Sequence, residues 1–428
     1  MYMNLNRVLI QQKVSIILNV IFVLYAASFI VSSGLERLTI YLATLFWLLE
    51  GNYKEKLKQL ISQKVILLYL SIILLFFISI FMSDSMVNGF MQAKYSNGYS
   101  YFYHKSIIYF LMAIYISTSL KKEYIKFIVY AFLLQVLYMV GNVYYLYFTQ
   151  FINGDDFTYY IMSTNRIFYS IALNIGFMLI CSLFYFYQTK ILKSILILFM
   201  ILIVFAILLL GSRAGILALI INMLVILIYF GKRYLNTKSL IVSFALISII
   251  FVSSYHYIPQ VKHRLNAAKS DIVKVYKSNN YNSSLGIRIA LYETSFKLLL
   301  ANPKSFIFGL GCGDAKYKFK KYLDKNEPNK AFISKQPHVH NQYLQTWIDG
   351  GLLAMIIYIS LLIYLLKLNT PIQYKLAKYG FVSSIFILGF SDIIYHRGTI
   401  LGLFAFGIGL FLAIDKYHNK ERTLEKTT

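Results

Sequence analysis

Residues 195–230 read ILILFMILIVFAILLLGSRAGILALIINMLVILIYF, two apolar runs (195–210 and 216–230) parted by a short connector that holds a single arginine. Each run is long enough, or nearly so, to cross a bilayer as a helix, the form in which a segment satisfies its own backbone hydrogen bonds in lipid. The connector GSRAG leaves room only for a tight turn, with Arg213 between the spans. The same alternation extends in both directions. Of the 428 residues 58% are hydrophobic and the mean hydropathy is +0.62, more apolar surface than a water-soluble protein can hide. The runs number about twelve by the length criterion: 14–31, 38–49 (short for a span), 65–82, 106–120, 127–148, 167–187, 195–210, 216–230, 240–255, 343–366, 379–394 and 400–414. The expected fold is therefore an all-α integral membrane protein with about 12 transmembrane helices. Its expected parts are a bundle of about nine spans over residues 1–257, a long external loop over 258–339, and about three further spans over 340–428. The first run lacks a small-residue cleavage site and is followed at once by the second, so it reads as a retained span.

A net charge of +25 raises nucleic acid as a partner, but the placement of the charge argues against it. With a cytoplasmic N-terminus, the inner connectors hold 21 of the 42 Lys and Arg. The short outer ones hold six: Arg37, Lys94, Lys105, Arg166, Arg213 and Arg397. That is the positive-inside pattern, which makes membrane lipids the expected partners. The other fifteen fall in 258–339 beside five Asp and Glu. A long loop crosses regardless of charge, and one this basic expects an anionic partner. Cys181 and Cys312 are too few and too separated for a disulfide framework or a thiolate metal site.

Against this apolar background, QPHVHNQYLQTWIDGGLLAM (336–355) stands out for two histidines, an amide, a tryptophan and a carboxylate just before a new span. Pro337 marks a helix start, which places His340 in the first turn at the water boundary, on one face with Tyr343, Leu344 and Trp347. His338, two residues earlier, would point elsewhere on a helix and is expected to support at most. Unpaired N–H groups at that helix start favour an anion. Gly350 and Gly351 let the backbone bend or pack closely.

Other features are read around this one. Arg166 lies at the mouth of a span, where an entering anion would meet the bilayer. Asp155 and Asp156 are adjacent carboxylates with no second cluster nearby, so no metal site is expected. Arg213 either snorkels to the interface or is held, poorly hydrated, for a bidentate grip on phosphate. A helix capped by Ser283 or Ser284 runs through LGIRIALYETSFKLLL to Asn302 and Pro303. It places Arg288, Tyr292 and Ser295 on one side. GLGCG (309–313) reads as a flexible turn, and KYKFKKYLDK (316–325) as a run that is solvated or touches lipid head groups, with contact to a charged substrate the weaker alternative. GFSDIIYHRG (389–398) puts Asp392 in or near the bilayer with His396 and Arg397 close by; Arg397 is its expected partner, in a structural ion pair or a functional site.

The order GSRAG, then LGIRIALYE with a proline and glycine-rich turn, then HVHNQYL with its glycine pair, resembles the O-antigen ligase and polymerase superfamily from about Leu208 onward. HVHN and GFSDIIYHRG resemble the ligase branch. The resemblance implies a GT-C-like membrane fold that needs neither nucleotide nor metal. It also implies transfer of a glycan from an undecaprenyl diphosphate carrier to the lipid A core oligosaccharide, at the periplasmic face of the bacterial inner membrane. Carried over by motif, Arg213, Arg288 and His340 are the catalytic residues, with Arg166, Arg264, His338, Asn341 and Arg397 as candidates for binding substrate. Elementary chemistry agrees: a departing diphosphate needs fixed cations, and an acceptor hydroxyl needs a base such as neutral imidazole. Two alternatives stand beside the ligase, a polymerase that joins carrier-linked repeats and a transporter that moves the lipid-linked glycan without chemistry.

Overall fold

The computed structural model describes residues 2–81, 100–153, 166–234, 237–301, 303–311, 315–336, 338–395 and 398–427, among which there are helices and no strand. In order these are α1 (Tyr2–Ser28), α2 (Ser33–Glu50), α3 (Tyr53–Ser62), α4 (Lys64–Phe81), α5 (Ser100–Ser119), α6 (Lys122–Asn153), α7 (Arg166–Phe186), α8 (Lys190–Leu210), α9 (Arg213–Tyr234) and α10 (Thr237–Tyr257). They are followed by α11 (Pro259–Ser278), α12 (Ser284–Leu300), α13 (Pro303–Phe308), α14 (Ala315–Asn326), a 3-10 helix (Pro328–Lys335), α15 (Gln342–Lys367), α16 (Ile372–Ser391) and α17 (Gly398–Thr427). Each expected apolar run lies on a helix, give or take an end residue, except that α1 stops at Ser28 and leaves 29–31 in a turn, and α16 stops at Ser391 and leaves 392–394 in another. Among the described residues, eight helices are long and apolar enough to cross a membrane: α1, α4, α6, α7, α8, α9, α15 and α17.

The helices fall into two compact units that interleave along the chain. The first comprises 1–131, 274–369 and 389–428; the second comprises 132–273 and 370–388. In the second unit α7 packs on α8 and α9. Glycines allow this closeness, for a Cβ at Gly215 would lie 2.2 Å from the Ser170 Cβ, and one at Gly380 2.2 Å from the Met178 Cβ. Lipid offers no hydrophobic drive between helices, so small residues and internal hydrogen bonds hold them instead. Here Asn174 donates to the carbonyl oxygen of Gly215 at 3.0 Å, and Asn222 to the Ser384 hydroxyl at 3.0 Å; both asparagines are fully buried.

In the first unit α17 lies along α5, α15 along α4, and α1 along α2. Edge-on and tilted aromatic pairs run through it, with ring centres 4.9 Å apart for Tyr69–Phe110, 5.9 Å for Tyr358–Tyr395 and 4.7 Å for Tyr343–Phe390. The 258–339 segment is helical, as its patterning suggested. Ser283 caps α12, its hydroxyl accepting from Gly286 N at 3.0 Å. Ala290, Leu291, Leu299, Leu310, Leu323, Val339, Leu344 and Ile348 share one buried core, which fastens α12 and α14 to the start of α15.

Gly309 is not the flexible turn expected. Its φ is +78°, its Cβ would meet the Ile348 and Trp347 carbonyl oxygens at 2.5 and 2.6 Å, and Leu310 N donates to Ile348 O at 2.7 Å. The glycine pair does bend α15: Gly351 adopts φ 81°, ψ 177°, and its Cβ would lie 2.2 Å from Ile307 O. Only glycine takes that conformation at low cost. Gly351→Ala is therefore expected to cost roughly 3 kcal/mol or more, read as a lowered melting temperature of the purified protein. An unchanged melting temperature would show the bend to be dispensable.

A charge cluster around buried Lys330 stiffens the same segment. Lys330 pairs with Glu293 at 2.7 Å and Glu327 at 3.3 Å, sits 4.6 Å above the Tyr281 ring, and shares Glu327 with Lys297. Burial raises the Glu327 carboxyl, but Lys297 and Lys330 outweigh it and hold the group below its usual range. A depressed carboxylate stabilises above its unfolded pKa of about 4.3 and loses that contribution as pH falls. Glu327→Gln is expected to cost about 2 kcal/mol at pH 7 and to flatten the decline in stability from about pH 5 to pH 3, measured by limited proteolysis of the segment. Parallel pH curves for variant and parent would contradict it.

Candidate active site

The helix starts at Gln342, five residues past Pro337 where the sequence pattern put it, because Asn341 provides the cap. Asn341 is extended (φ −152°, ψ 117°) and its side-chain oxygen accepts from Leu344 N at 2.9 Å, so α15 begins at Gln342. His340 therefore precedes the helix instead of occupying its first turn, and takes φ +53°. A left-handed non-glycine residue is uncommon and costs of order 1 kcal/mol. The surrounding hydrogen bonds fix it there. His340 N donates to His338 Nδ1 at 3.3 Å, and Val339 N donates to Gln345 Oε1 at 3.1 Å. Gln345 in turn donates to both oxygens of buried Asp349.

This bend brings His338 back into the site, contrary to the helical expectation. The two imidazole rings are 4.1 Å apart at 70°. His340 Nδ1 stands 3.7 Å from Asp392 Oδ1, close enough to pair when the ring is protonated. Asp392 is 1% exposed and lies in the turn after α16. That turn is tied to α15 by Gln342, whose Oε1 accepts from Ile394 N at 2.6 Å and Tyr395 N at 3.2 Å. The partner expected for Asp392, Arg397, lies outside the described residues, as do His396, Cys312, Asp155 and Asp156.

Helix α12 supplies the other wall. The Tyr292 hydroxyl lies 3.1 Å from His340 O and 2.9 Å from Phe390 O, and its one proton serves one carbonyl at a time. Burial pushes this phenol up; Asn341 and the Arg288 charge pull it down, and Asp392 adds to the rise. Arg288 and Asp392 thus both act on Tyr292. The Arg288 Nε is buried and makes no hydrogen bond among the described residues, a cost usually met by a ligand or water. Ser295, expected on the same polar face, is instead buried and returns its hydroxyl to Leu291 O at 2.6 Å.

The remaining candidates belong to the second unit. Arg213 opens α9 after the left-handed Gly211 (φ 57°), pairs with Asp271 at 3.5 Å, and keeps a buried Nη1 without a hydrogen bond among the described residues. The Arg264 side chain packs over the same turn, 3.5 Å from where a Gly211 Cβ would stand. Arg166 is the first residue of α7, its carbonyl accepting from Ser170 Oγ at 2.7 Å.

His338, His340 and Asp392 also offer ligand atoms within 4.8 Å of one another, a set that could hold a metal ion. Donors around a tetrahedral zinc stand about 3.4 Å apart, from bonds of about 2.1 Å, so this arrangement would have to tighten to bind one. Asp392 and Gln342 were underweighted from sequence, where an acid at the end of an apolar run and a glutamine after HVHN were the available signals.

An all-helical, multi-pass membrane protein with a His–Asp pair just ahead of a span is the class that fold and site define. Residues 198–359, a stretch that holds GSRAG, α12 and HVHN, match the family model described as O-Antigen ligase. GFSDIIYHRG lies beyond the matched stretch. The chain is also 32% identical over 193 residues to an uncharacterised protein of Haemophilus influenzae, a match that covers 44% of this chain and 45% of the relative.

Proposed function

We propose that the protein is a glycosyltransferase of the ligase type, moving a glycan from an undecaprenyl diphosphate carrier to the lipid A core oligosaccharide at the periplasmic face of the inner membrane. The observation that carries this reading is His340 set 3.7 Å from buried Asp392, beside an arginine with an unsatisfied Nε. The acceptor hydroxyl gives its proton to His340 as its oxygen attacks the anomeric carbon. The carbon–oxygen bond to the diphosphate breaks on the opposite side, so the configuration inverts. Asp392 orients the imidazole and stabilises it once charged, as a buried carboxylate does behind a catalytic histidine. Arg288 meets the charge developing on the diphosphate; Arg213 is assigned the same task on its sequence motif. His338 and Asn341 hold the His340 bend, and Arg166, Arg264 and Arg397 are assigned to the anionic substrates.

Purified protein supplied with carrier-linked glycan and core acceptor is expected to form the joined product with inverted configuration. No product from a folded preparation would favour transport without chemistry. Deletion separates ligase from polymerase: polysaccharide lost from the core while long carrier-linked chains persist marks the ligase, and single repeats on the core mark the polymerase. Chelation by EDTA is expected to leave the rate unchanged. A loss restored by added zinc would place a metal on His338, His340 and Asp392.

A further inference from the structure

Outside the residues given a chemical role above, the first unit holds a cavity of about 470 Å³ between the end of α12, α13 and α14. Its wall is cationic. Lys318, Lys321 and Lys325 recur on one face of α14, Lys304 faces them from α13, and no carboxylate lines the cavity among the described residues. Glu327, the nearest acid past α14, is already engaged by Lys297 and Lys330. Like charges gathered around one space repel, and an anion seated among them reverses the sign of that energy. Lysines serve such a site as point charges for phosphate. The floor is firm, since Lys318 Nζ donates to Leu310 O at 2.9 Å and Leu310 N to Ile348 O at 2.7 Å.

Its flanks have the opposite character. Phe308, which lines the cavity, is 49% exposed, and Leu300 and Ile307 on the flanking helices α12 and α13 are 64% and 50% exposed. A cationic recess beside exposed apolar side chains fits one kind of molecule, an amphiphile with an anionic head. We propose that this cavity binds the phosphate-bearing headgroup of a glycolipid, which, on the glycosyl-transfer reading, is the acceptor. Two of its walls, α12 and α14, share a buried core with Val339 and Leu344, so a headgroup held there lies at a fixed offset from His340.

The test measures binding without donor, to the full chain in uncharged detergent, of a phosphorylated disaccharide lipid, its dephosphorylated form and inorganic phosphate. The phosphorylated lipid is expected to bind most tightly and to weaken as salt is raised. Lys321→Gln with Lys325→Gln should weaken it about tenfold, with an unchanged melting temperature. Lys304→Gln offers an independent variant on the opposite wall. Equal binding of the dephosphorylated lipid, or no effect of either set, overturns the proposal; phosphate binding as well as the lipid overturns the headgroup assignment. In turnover, the acceptor KM should rise about tenfold in the double variant while kcat holds; a fall in kcat alone would overturn it. If no donor is turned over but binding keeps its dependence on phosphate and lysine, the glycosyl-transfer reading fails and the headgroup site stands.

Discussion

Replacing His340 by alanine is expected to lower the rate of glycan transfer by about 10² to 10⁴, the range for loss of a positioned general base. The geometry lets this be separated from a structural effect. His340 holds a left-handed conformation and its carbonyl is one of the two that Tyr292 reaches, so His340→Asn, which tolerates that conformation, keeps the backbone while removing the imidazole. Both variants should lose rate and keep the parent's melting temperature to within a few degrees. Asp392→Asn should lose rate as well, and the His340→Ala, Asp392→Asn double variant should be no slower than His340→Ala alone. Residues that act as one unit show this non-additivity. Full activity in His340→Asn would remove the base from this position, and additive losses would uncouple Asp392 from it.

Arg288→Ala is expected to reduce kcat by roughly 10² to 10³, as for removal of one donor aimed at developing charge. Arg288→Lys should recover little of it. A lysine restores the charge but not the planar fork that grips two phosphate oxygens, and it has no counterpart to the buried Nε, which makes no hydrogen bond among the described residues. A variant that retained kcat and showed only a raised donor KM would recast Arg288 as a binding group. Full activity in both respects would take it out of the site.

The lipid-soluble frame was open to sequence reading because bilayer thickness imposes a length on every span, and unbroken apolar runs report that length directly. The helix from Ser284 was legible for a related reason: its serine cap is a local feature. What escaped reading was set by contacts distant in sequence. Helical periodicity assigned His338 and His340 to different directions, yet Asn341 starts the helix after them and His340 turns back. Asp392 stands beside His340, and the turn it occupies is secured to Gln342 on another helix, neighbours that no local spacing announces. GLGCG looked slack because glycine permits freedom; a glycine can equally be the one residue small enough for two backbones to touch.

The contact between Gly309 and the bend at Gly351 sets a rule for engineering. Each glycine leaves no space for a side chain because the other's strand of backbone fills it, so the stretch from α13 to the middle of α15 behaves as a single cassette. A chimaera meant to exchange acceptor preference between two homologues should be spliced before Pro303 and after Gly351. A junction at the edge of the span, near Asn341, would match a donor's glycine turn to a recipient's unrelated bend, and the hybrid would fail in assembly before its selectivity could be assayed.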